Sequence, residues 1–438
     1  MREAKSTASP LDRAISVHPE IVGDRQSTYA WQARAEEFKR LVESCACERV
    51  ASVRLPLRQL VPGTLFGRGQ VEHVRDLVQA HEAQVVFVDH ALSPVQQRNL
   101  ENAWQAKVVD RTGLILEIFA ARARTREGVL QVELASLNYQ LGRLVRSWTH
   151  LERQRGGYGF LGGPGERQIE LDRRMIRERI RNLEHALEKV RRMRSTQRAG
   201  RRRKAIPTVA LVGYTNAGKS TLFNRLTAAS VYSADQLFAT LDPTLRKLRL
   251  PSGRSLMLAD TVGFVQELPH ELVEAFRATL EEVTEADLIL HVQDASDPMR
   301  RQQAEVVRKT LAQLGLVGDA APPILEVLNK ADLVPGMHSR ISPQIAESRI
   351  AVSALTGQGI AQLLDLLDGW ASSTMQERCL KLAPGDGRTL AFCHRYGQVL
   401  DVHMDASGSA TVRVRLQPED WGRIELHQGF HRLRKKFR

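Results

Sequence analysis

Gly213-Tyr214-Thr215-Asn216-Ala217-Gly218-Lys219-Ser220-Thr221 follows the short apolar run Pro207 to Val212 and matches the pattern G-x-x-x-x-G-K-[ST]. An unbroken apolar run of that length suits a strand buried on both faces of a parallel sheet. The pattern after it predicts a turn into a helix that starts near Lys219. The spacing has a chemical reason. Backbone N–H groups of such a loop wrap a polyphosphate, a lysine neutralises the β and γ charge, and a hydroxyl ligates Mg²⁺. Lys219 and Ser220 stand at those two positions, and the competing reading is an ordinary glycine turn.

Three further elements agree with the phosphate reading. Leu256 to Asp260 reads as a second buried strand ending in Asp260-Thr261-Val262-Gly263, where an acid reaches Mg²⁺ through water and the Gly263 N–H meets a γ-phosphate. Between the two strands lies Phe238-Ala239-Thr240-Leu241-Asp242, in which Thr240 would close over the metal in the triphosphate state; Thr244 competes for that role. Asn329-Lys330-Ala331-Asp332 follows the apolar strand Ile324 to Leu328 and reads the base. The Asp332 carboxylate accepts from two guanine N–H donors, whereas adenine offers an acceptor at the matching edge and would leave the acid unpaired. Ser353-Ala354-Leu355, after the strand Ile350 to Val352, offers backbone N–H groups to the guanine oxygen. Four motifs in this order predict a GTP phosphohydrolase, with Lys219 and Gly263 nearest the reacting phosphate and Ser220 and Thr240 on Mg²⁺.

The rest of the chain sets the frame. Its 438 residues suggest two to four domains, and neither a signal peptide nor a bilayer-spanning apolar run is evident, so a soluble cytoplasmic protein without stable membrane insertion is expected. Four cysteines, Cys45, Cys47, Cys379 and Cys393, lack paired C-x-x-C spacing; reduced thiols and no structural metal are expected. A net charge of +13 favours an anionic partner, nucleic acid or an anionic membrane surface.

From about residue 11 a compact region begins. Val50 to Leu57 reads as a strand, Gln70 to Ala83 as a helix, Val85 to Asp89 as a strand and Pro94 to Trp104 as a helix before Val108-Val109, a small parallel β-α-β-α sheet. Ser93, Pro94 and Gln96 supply a cap, a first helical residue and a capping box. Pro62-Gly63-Thr64-Leu65-Phe66-Gly67-Arg68-Gly69 lies at the carboxyl end of a strand, where open sheets bind ligands; a tight turn without a ligand competes with a second anion site.

Beyond Arg126, Leu130, Leu134, Leu137, Leu141, Leu144, Trp148 and Leu151 fall at alternating spacings of four and three, and the seam resumes at Ile176, Ile180, Leu183, Leu187 and Val190. The two helices are expected to fold back on each other around the glycine-rich tip from Arg155 to Gly165. Arg143, Arg146, Arg153, Arg155, Arg167, Arg173, Arg174, Arg177, Arg179 and Arg181 line the pair and its tip, with Tyr158 and Phe160 at the tip as stacking groups, and Arg191 to Lys204 adds a denser basic run. That density beside a glycine-rich tip points to RNA, against a merely solvated face. No sustained second apolar face supports a membrane role.

With those parts in order, the chain resembles the HflX family of ribosome-associated GTPases. The resemblance is carried by Gly162-Gly163-Pro164-Gly165-Glu166-Arg167-Gln168-Ile169-Glu170-Leu171-Asp172-Arg173-Arg174 ahead of the phosphate loop, by Phe238 to Thr244 and by Asp260 to Phe264; Arg167 stands where the family pattern suggests threonine. It implies binding of GTP and GDP, action on the large ribosomal subunit and its RNA, and splitting of stalled or idle ribosomes under stress; a monomer is expected. It also implies ATP use by the amino-terminal domain, for which the loop Gly63 to Gly69 is the place to look. A GTP-controlled RNA-binding switch in ribosome assembly or RNA metabolism, without splitting, is the alternative.

The expected fold class is α/β. A P-loop GTPase domain at 205–373, mostly parallel sheet with helices on both faces, follows a small α/β domain at 1–127 and a basic helical hairpin at 128–204, and precedes a small α+β domain at 374–438. Within the GTPase domain, helices are expected at Leu272 to Glu282, Arg300 to Leu314 and Ile360 to Trp370, and a strand at Leu288 to Gln293. The last domain should hold a helix at Leu390 to Tyr396 and a strand pair, Gln398 to Met404 and Ala410 to Leu416, turning at Gly408; the basic tail Arg432 to Arg438 is an RNA contact or a solubilising end. One position departs from small GTPases. Where many place a water-orienting glutamine after D-x-x-G, this chain has Phe264, so slow intrinsic turnover is expected, with the missing group supplied by a partner or by another side chain.

Overall fold

The computed structural model describes residues 12–21, 28–45, 47–154, 164–203, 206–228, 238, 240, 243–266, 280–316, 318, 321–342, 344–373, 376–405, 407–416, 421 and 424. The amino-terminal part runs β1 (Asp12–Ile21), α1 (Thr28–Glu43), β2 (Cys47–Leu57), α2 (Arg68–Ala80), β3 (Val85–Val88), α3 (Pro94–Trp104), β4 (Lys107–Asp110) and α4 (Arg111–Arg122). Its four strands are all parallel, in the order β2-β1-β3-β4. The inner strand β1 has no counterpart in the sequence reading, because Ser16 and His18 interrupt its apolar run. Both are nevertheless buried, and the His18 ring lies 3.9 Å from Asp89. Two helices also went unread, α1 and α4; the second is capped by Asp110, which accepts from Gly113 N–H at 2.8 Å. The capping box of α3 is formed as expected, with Ser93 accepting from Gln96 N–H and Gln96 returning to Ser93 N–H.

Two long helices follow, α5 (Arg126–Gln154) and α6 (Pro164–Arg203). At 1.5 Å per residue, the 29 residues of α5 extend about 44 Å. The helices pair, with Arg179 reaching Glu133 at 2.7 Å and Ile180, Leu183 and Leu187 buried. On α5, however, the buried residues among those described are Glu127, Gly128, Gln131, Val132 and Ala135 rather than the expected leucines, of which Leu130, Leu134, Leu137 and Leu141 are half-buried. The reason is a second partner: Val132 and Ala135 join the apolar cluster of α4, and Tyr139 Oη donates to Asp110 at 2.7 Å. The base of the hairpin is thus anchored to the amino-terminal sheet. Its tip, including Tyr158 and Phe160, lies outside the described residues, as does the tail from Arg432 to Arg438.

The third unit holds β5 (Thr208–Gly213), α7 (Lys219–Thr227), β6 (Thr244–Arg249), β7 (Ser255–Asp260), α8 (Glu281–Thr284), β8 (Leu288–Asp294), α9 (Arg300–Gln313), β9 (Ile324–Asn329), β10 (Arg349–Ala351) and α10 (Ile360–Ser373). Its six strands order as β10-β9-β8-β5-β7-β6. Only β6 runs antiparallel, against β7. Apart from α8, most of the expected helix Leu272 to Glu282 lies outside the described residues. β5 is central and wholly buried from Val209 to Val212, and the phosphate-loop candidate leaves its carboxyl end, where open parallel sheets present their ligand sites. A last sheet, β11 (Gln376–Leu382), β13 (Ala410–Leu416) and β12 (Gln398–Met404) in that order, packs on α11 (Gly387–Tyr396). Gly408 takes φ +78° at its hairpin. No described helix is long and apolar enough to cross a membrane.

Candidate nucleotide site

The loop after β5 is built around glycines that leave no room for a side chain. Gly218 has φ +84°, and a Cβ there would stand 2.2 Å from Asn329 Nδ2. That amide donates instead to Ala217 C=O at 2.9 Å, while Asn329 Oδ1 accepts from Ala354 N–H at 3.0 Å. One asparagine therefore fastens the phosphate-loop candidate to both segments assigned to base reading. Close by, Lys330 Nζ reaches Asp294 at 2.6 Å, Ala331 N–H reaches Val352 C=O at 3.0 Å, and Ser353 accepts from Thr356 N–H. Asp332 and Leu355 are exposed at the rim.

Lys219 is buried, its ammonium donating to Gly213 C=O at 3.1 Å and Tyr214 C=O at 2.8 Å. Burial pulls its pKa down to about 8 against the opposing field of Asp260. At the next position of α7, Ser220 Oγ lies 2.7 Å from Thr240 Oγ1 and donates to Asp260 Oδ2 at 2.7 Å; Thr240 donates to the same oxygen at 2.9 Å. Three residues 20 and 40 positions apart in sequence thus converge on one point. Of the two candidate threonines, Thr240 has its hydroxyl there, whereas Thr244 opens β6, opposite Asp260 in the ladder.

The second oxygen of Asp260, Oδ1, is buried without a hydrogen-bond partner, and burial raises the carboxyl pKa against Ser220, Lys219 and Thr240. An orphaned carboxylate oxygen beside two hydroxyls is the donor set that a hard cation takes. Thr261 serves the sheet, donating to Leu211 C=O at 2.6 Å, and Val262 is buried. Asn216 sits at φ +60° on the loop and Thr221 in α7. Ala239, Leu241 and Asp242 lie outside the described residues.

Phe264 is buried, and its backbone pairs with the phosphate-loop candidate on both sides: Thr215 N–H to Phe264 C=O at 2.8 Å, Phe264 N–H to Gly213 C=O at 3.1 Å. Its side chain falls in one apolar cluster with Phe38, Leu41 and Phe119 of the amino-terminal unit. Phe238 joins them, edge-on to Phe119 with centroids 4.5 Å apart. These contacts span long sequence separations, as do the polar ones beside them from Glu37 to Tyr214 and from Arg111 to Gln266. No local periodicity could have announced them. A cleft of about 220 Å³ opens at this junction, lined among others by Arg34, Glu36, Tyr214, Asn216, Gln266 and Asp297.

The glycine loop of the amino-terminal unit is internally satisfied. Leu65 N–H bonds Val61 C=O at 2.7 Å, Thr64 Oγ1 donates to Phe66 C=O, Gly67 N–H bonds the Gln70 side chain, and Gly63 C=O accepts from Asn99.

Comparison with known proteins gives three matching family regions: residues 32–120 match the GTP-binding GTPase N-terminal family, 122–201 the GTP-binding GTPase middle region and 208–330 the 50S ribosome-binding GTPase family. The protein described as GTPase HflX from Magnetococcus marinus is 50% identical over 417 residues, covering 94% of each chain. GTPase HflX from Escherichia coli is 44% identical over 416 residues, covering 94% of this chain and 95% of its own. Among solved structures, a GTP-binding protein from Sulfolobus solfataricus in complex with GDP is 23% identical, covers 83% of this chain and 99% of its own, and gives a TM-score of 0.44.

Proposed function

Since the chain belongs to the HflX family of GTPases, whose shared activity is GTP hydrolysis, we propose that it hydrolyses GTP on the large ribosomal subunit and splits or rescues stalled or idle ribosomes under stress. The observation that carries the hydrolytic part is the convergence of Ser220, Thr240 and Asp260 beside the buried Lys219. In this reading Gly213 to Thr221 wraps the phosphates, Ser220 and Thr240 hold Mg²⁺ directly, and Asp260 holds it through water by its unpaired oxygen. The ion when bound neutralises polyphosphate charge. Lys219 stabilises charge on the γ-phosphate, the Gly263 N–H orients it, and Asp332 with the backbone N–H groups of the segment Ser353 to Leu355 selects guanine.

The ribosomal part is supported by the description of the matched family as ribosome-binding and by the arginines of the hairpin, where Arg174, Arg177, Arg179 and Arg181 are exposed along α6. Such a chain would act in the cytoplasm, as a monomer. Phe264 cannot orient water, so intrinsic turnover is slow and the ribosome supplies or orders the missing group, a contribution of about 10³ to 10⁵ in rate. Deleting Gly156 to Gly165 is expected to leave nucleotide binding by the free protein unchanged and to remove most of the stimulation by large subunits, measured as GTP turnover. Undiminished stimulation in the deletion would take the tip out of the mechanism. ATP use by the amino-terminal unit gains no support from its self-satisfied glycine loop.

A further inference from the structure

The backbone donors of the turn after β10 are almost all committed within the fold. Ser353 N–H bonds Gln358 C=O at 2.9 Å, Ala354 N–H bonds Asn329 Oδ1 at 3.0 Å and Thr356 N–H bonds Ser353 Oγ at 3.0 Å. Gly357 N–H bonds Ser353 C=O at 2.8 Å, and Gln358 N–H bonds Thr356 Oγ1 at 3.3 Å. In this run the Leu355 N–H is the donor without a partner among the described residues. A backbone N–H needs a partner, and the one left for Leu355 is a ligand or solvent.

The peptide that carries this donor is held on both sides. Before it, Ala354 N–H is fixed by Asn329, whose amide also bonds Ala217 of the phosphate-loop candidate. After it, the Leu355 carbonyl accepts from Arg225 Nη2 at 3.1 Å. Arg225 stands in the last turn of α7, outside the phosphate-loop pattern, which ends at Thr221. Its guanidinium lies across Gly357, where a Cβ would be 2.8 Å from Nη2 and 3.4 Å from Cζ. Gly357 also takes φ +94°, a conformation that glycine adopts without a steric penalty. The turn is thus shaped to admit the arginine, and a planar guanidinium can rest over the glycine while one N–H is committed to the carbonyl.

We propose that Arg225 is a positioning residue for base recognition: by holding the Leu355 carbonyl it aims the Leu355 N–H at the guanine O6. Arg225 then sets discrimination at that oxygen, while Asp332 sets it at the guanine N1 and N2 donors. The proposal rests on reading 329–332 and 353–355 as the guanine pocket. Arg225 is exposed, so the contact it controls is expected to be worth one ordinary hydrogen bond, about two- to tenfold in affinity.

The test titrates the full-length chain with labelled GDP and competes it with two analogues. IDP lacks the exocyclic amino group; 6-thio-GDP keeps both donors to Asp332 and carries sulfur, a weaker acceptor, in place of O6. The wild-type chain is expected to prefer GDP over each. Arg225→Ala should weaken GDP about two- to tenfold, bring the GDP to 6-thio-GDP affinity ratio toward one by the same factor, and leave the GDP to IDP ratio unchanged. Arg225→Met, which keeps the aliphatic stem against the turn and removes the donor, should repeat the result. A merely structural tie between α7 and the turn would weaken all three diphosphates alike and leave both ratios fixed. That outcome, unchanged affinities, or loss of both ratios together overturns the role of Arg225 while leaving the nucleotide site standing. A wild-type chain that binds the three diphosphates equally would remove the base-reading assignment and Arg225 with it.

Discussion

Lys219→Ala is expected to lower GTP turnover by at least about 10² to 10³, the usual loss when one preorganised donor to a developing charge is removed. The fold should survive the change. The lysine is a buried cation whose pKa burial has drawn down to about 8, so its removal relieves desolvation. The carbonyls that it bonds are backbone groups of the loop, and that of Gly213 also accepts from Phe264 N–H. Asp260 keeps its two hydroxyl donors, Ser220 and Thr240. A thermal midpoint near that of the wild type together with lost turnover would place the defect in phosphate chemistry. Wild-type affinity and turnover in the variant would show that the triphosphate binds elsewhere.

Asp332→Asn is expected to move base preference from guanine to xanthine nucleotides. A carboxylate accepts from both guanine N–H donors, and an amide in its place meets one of them with its own N–H group. A pocket built to make a hydrogen bond rejects a ligand that cannot make it by on the order of 10⁴, so GTP affinity should fall by a comparable factor and XTP should recover much of the loss. Asp332 is exposed in the 3-10 turn Ala331–Leu333 that follows β9, so the substitution tests recognition with little consequence for packing. Competition titrations with GTP, XTP and ATP read the outcome directly. Strict guanine preference retained by the variant would take Asp332 out of base reading.

The phosphate-loop segment was legible because its signals are local. A buried strand, glycines, a lysine and a hydroxyl at fixed spacing specify a turn into a helix, and Thr208–Gly213 and Lys219–Thr227 take those forms. The Ser93–Gln96 capping box was legible for the same reason. What stayed hidden depends on partners far along the chain. β1 hides because His18 and Ser16 look out of place in a buried strand until Asp89 and its arginines surround them. The leucine seam of α5 was read as its buried face, yet α4 takes the adjoining face through Val132 and Ala135. Phe264 shows the same limit most clearly. In sequence it marks a missing glutamine, whereas in the fold it is also an apolar anchor, packed in the cluster that includes Phe38 and Phe119. That anchoring gives the position a packing role independent of water chemistry, and it explains how the amino-terminal unit comes to lie against the segment carrying Gly263.

The central claim joins GTP hydrolysis to the large ribosomal subunit. It is tested most directly by measuring GTP turnover with and without purified large subunits at physiological salt, following subunit separation by sedimentation in the same samples. The account predicts slow turnover alone, strong stimulation by the large subunit, and GTP-dependent separation of joined ribosomes. Stimulation without separation would favour a switch in which hydrolysis only times release from RNA. Turnover that is indifferent to the ribosome would contradict the claim and leave a GTPase whose partner is another RNA.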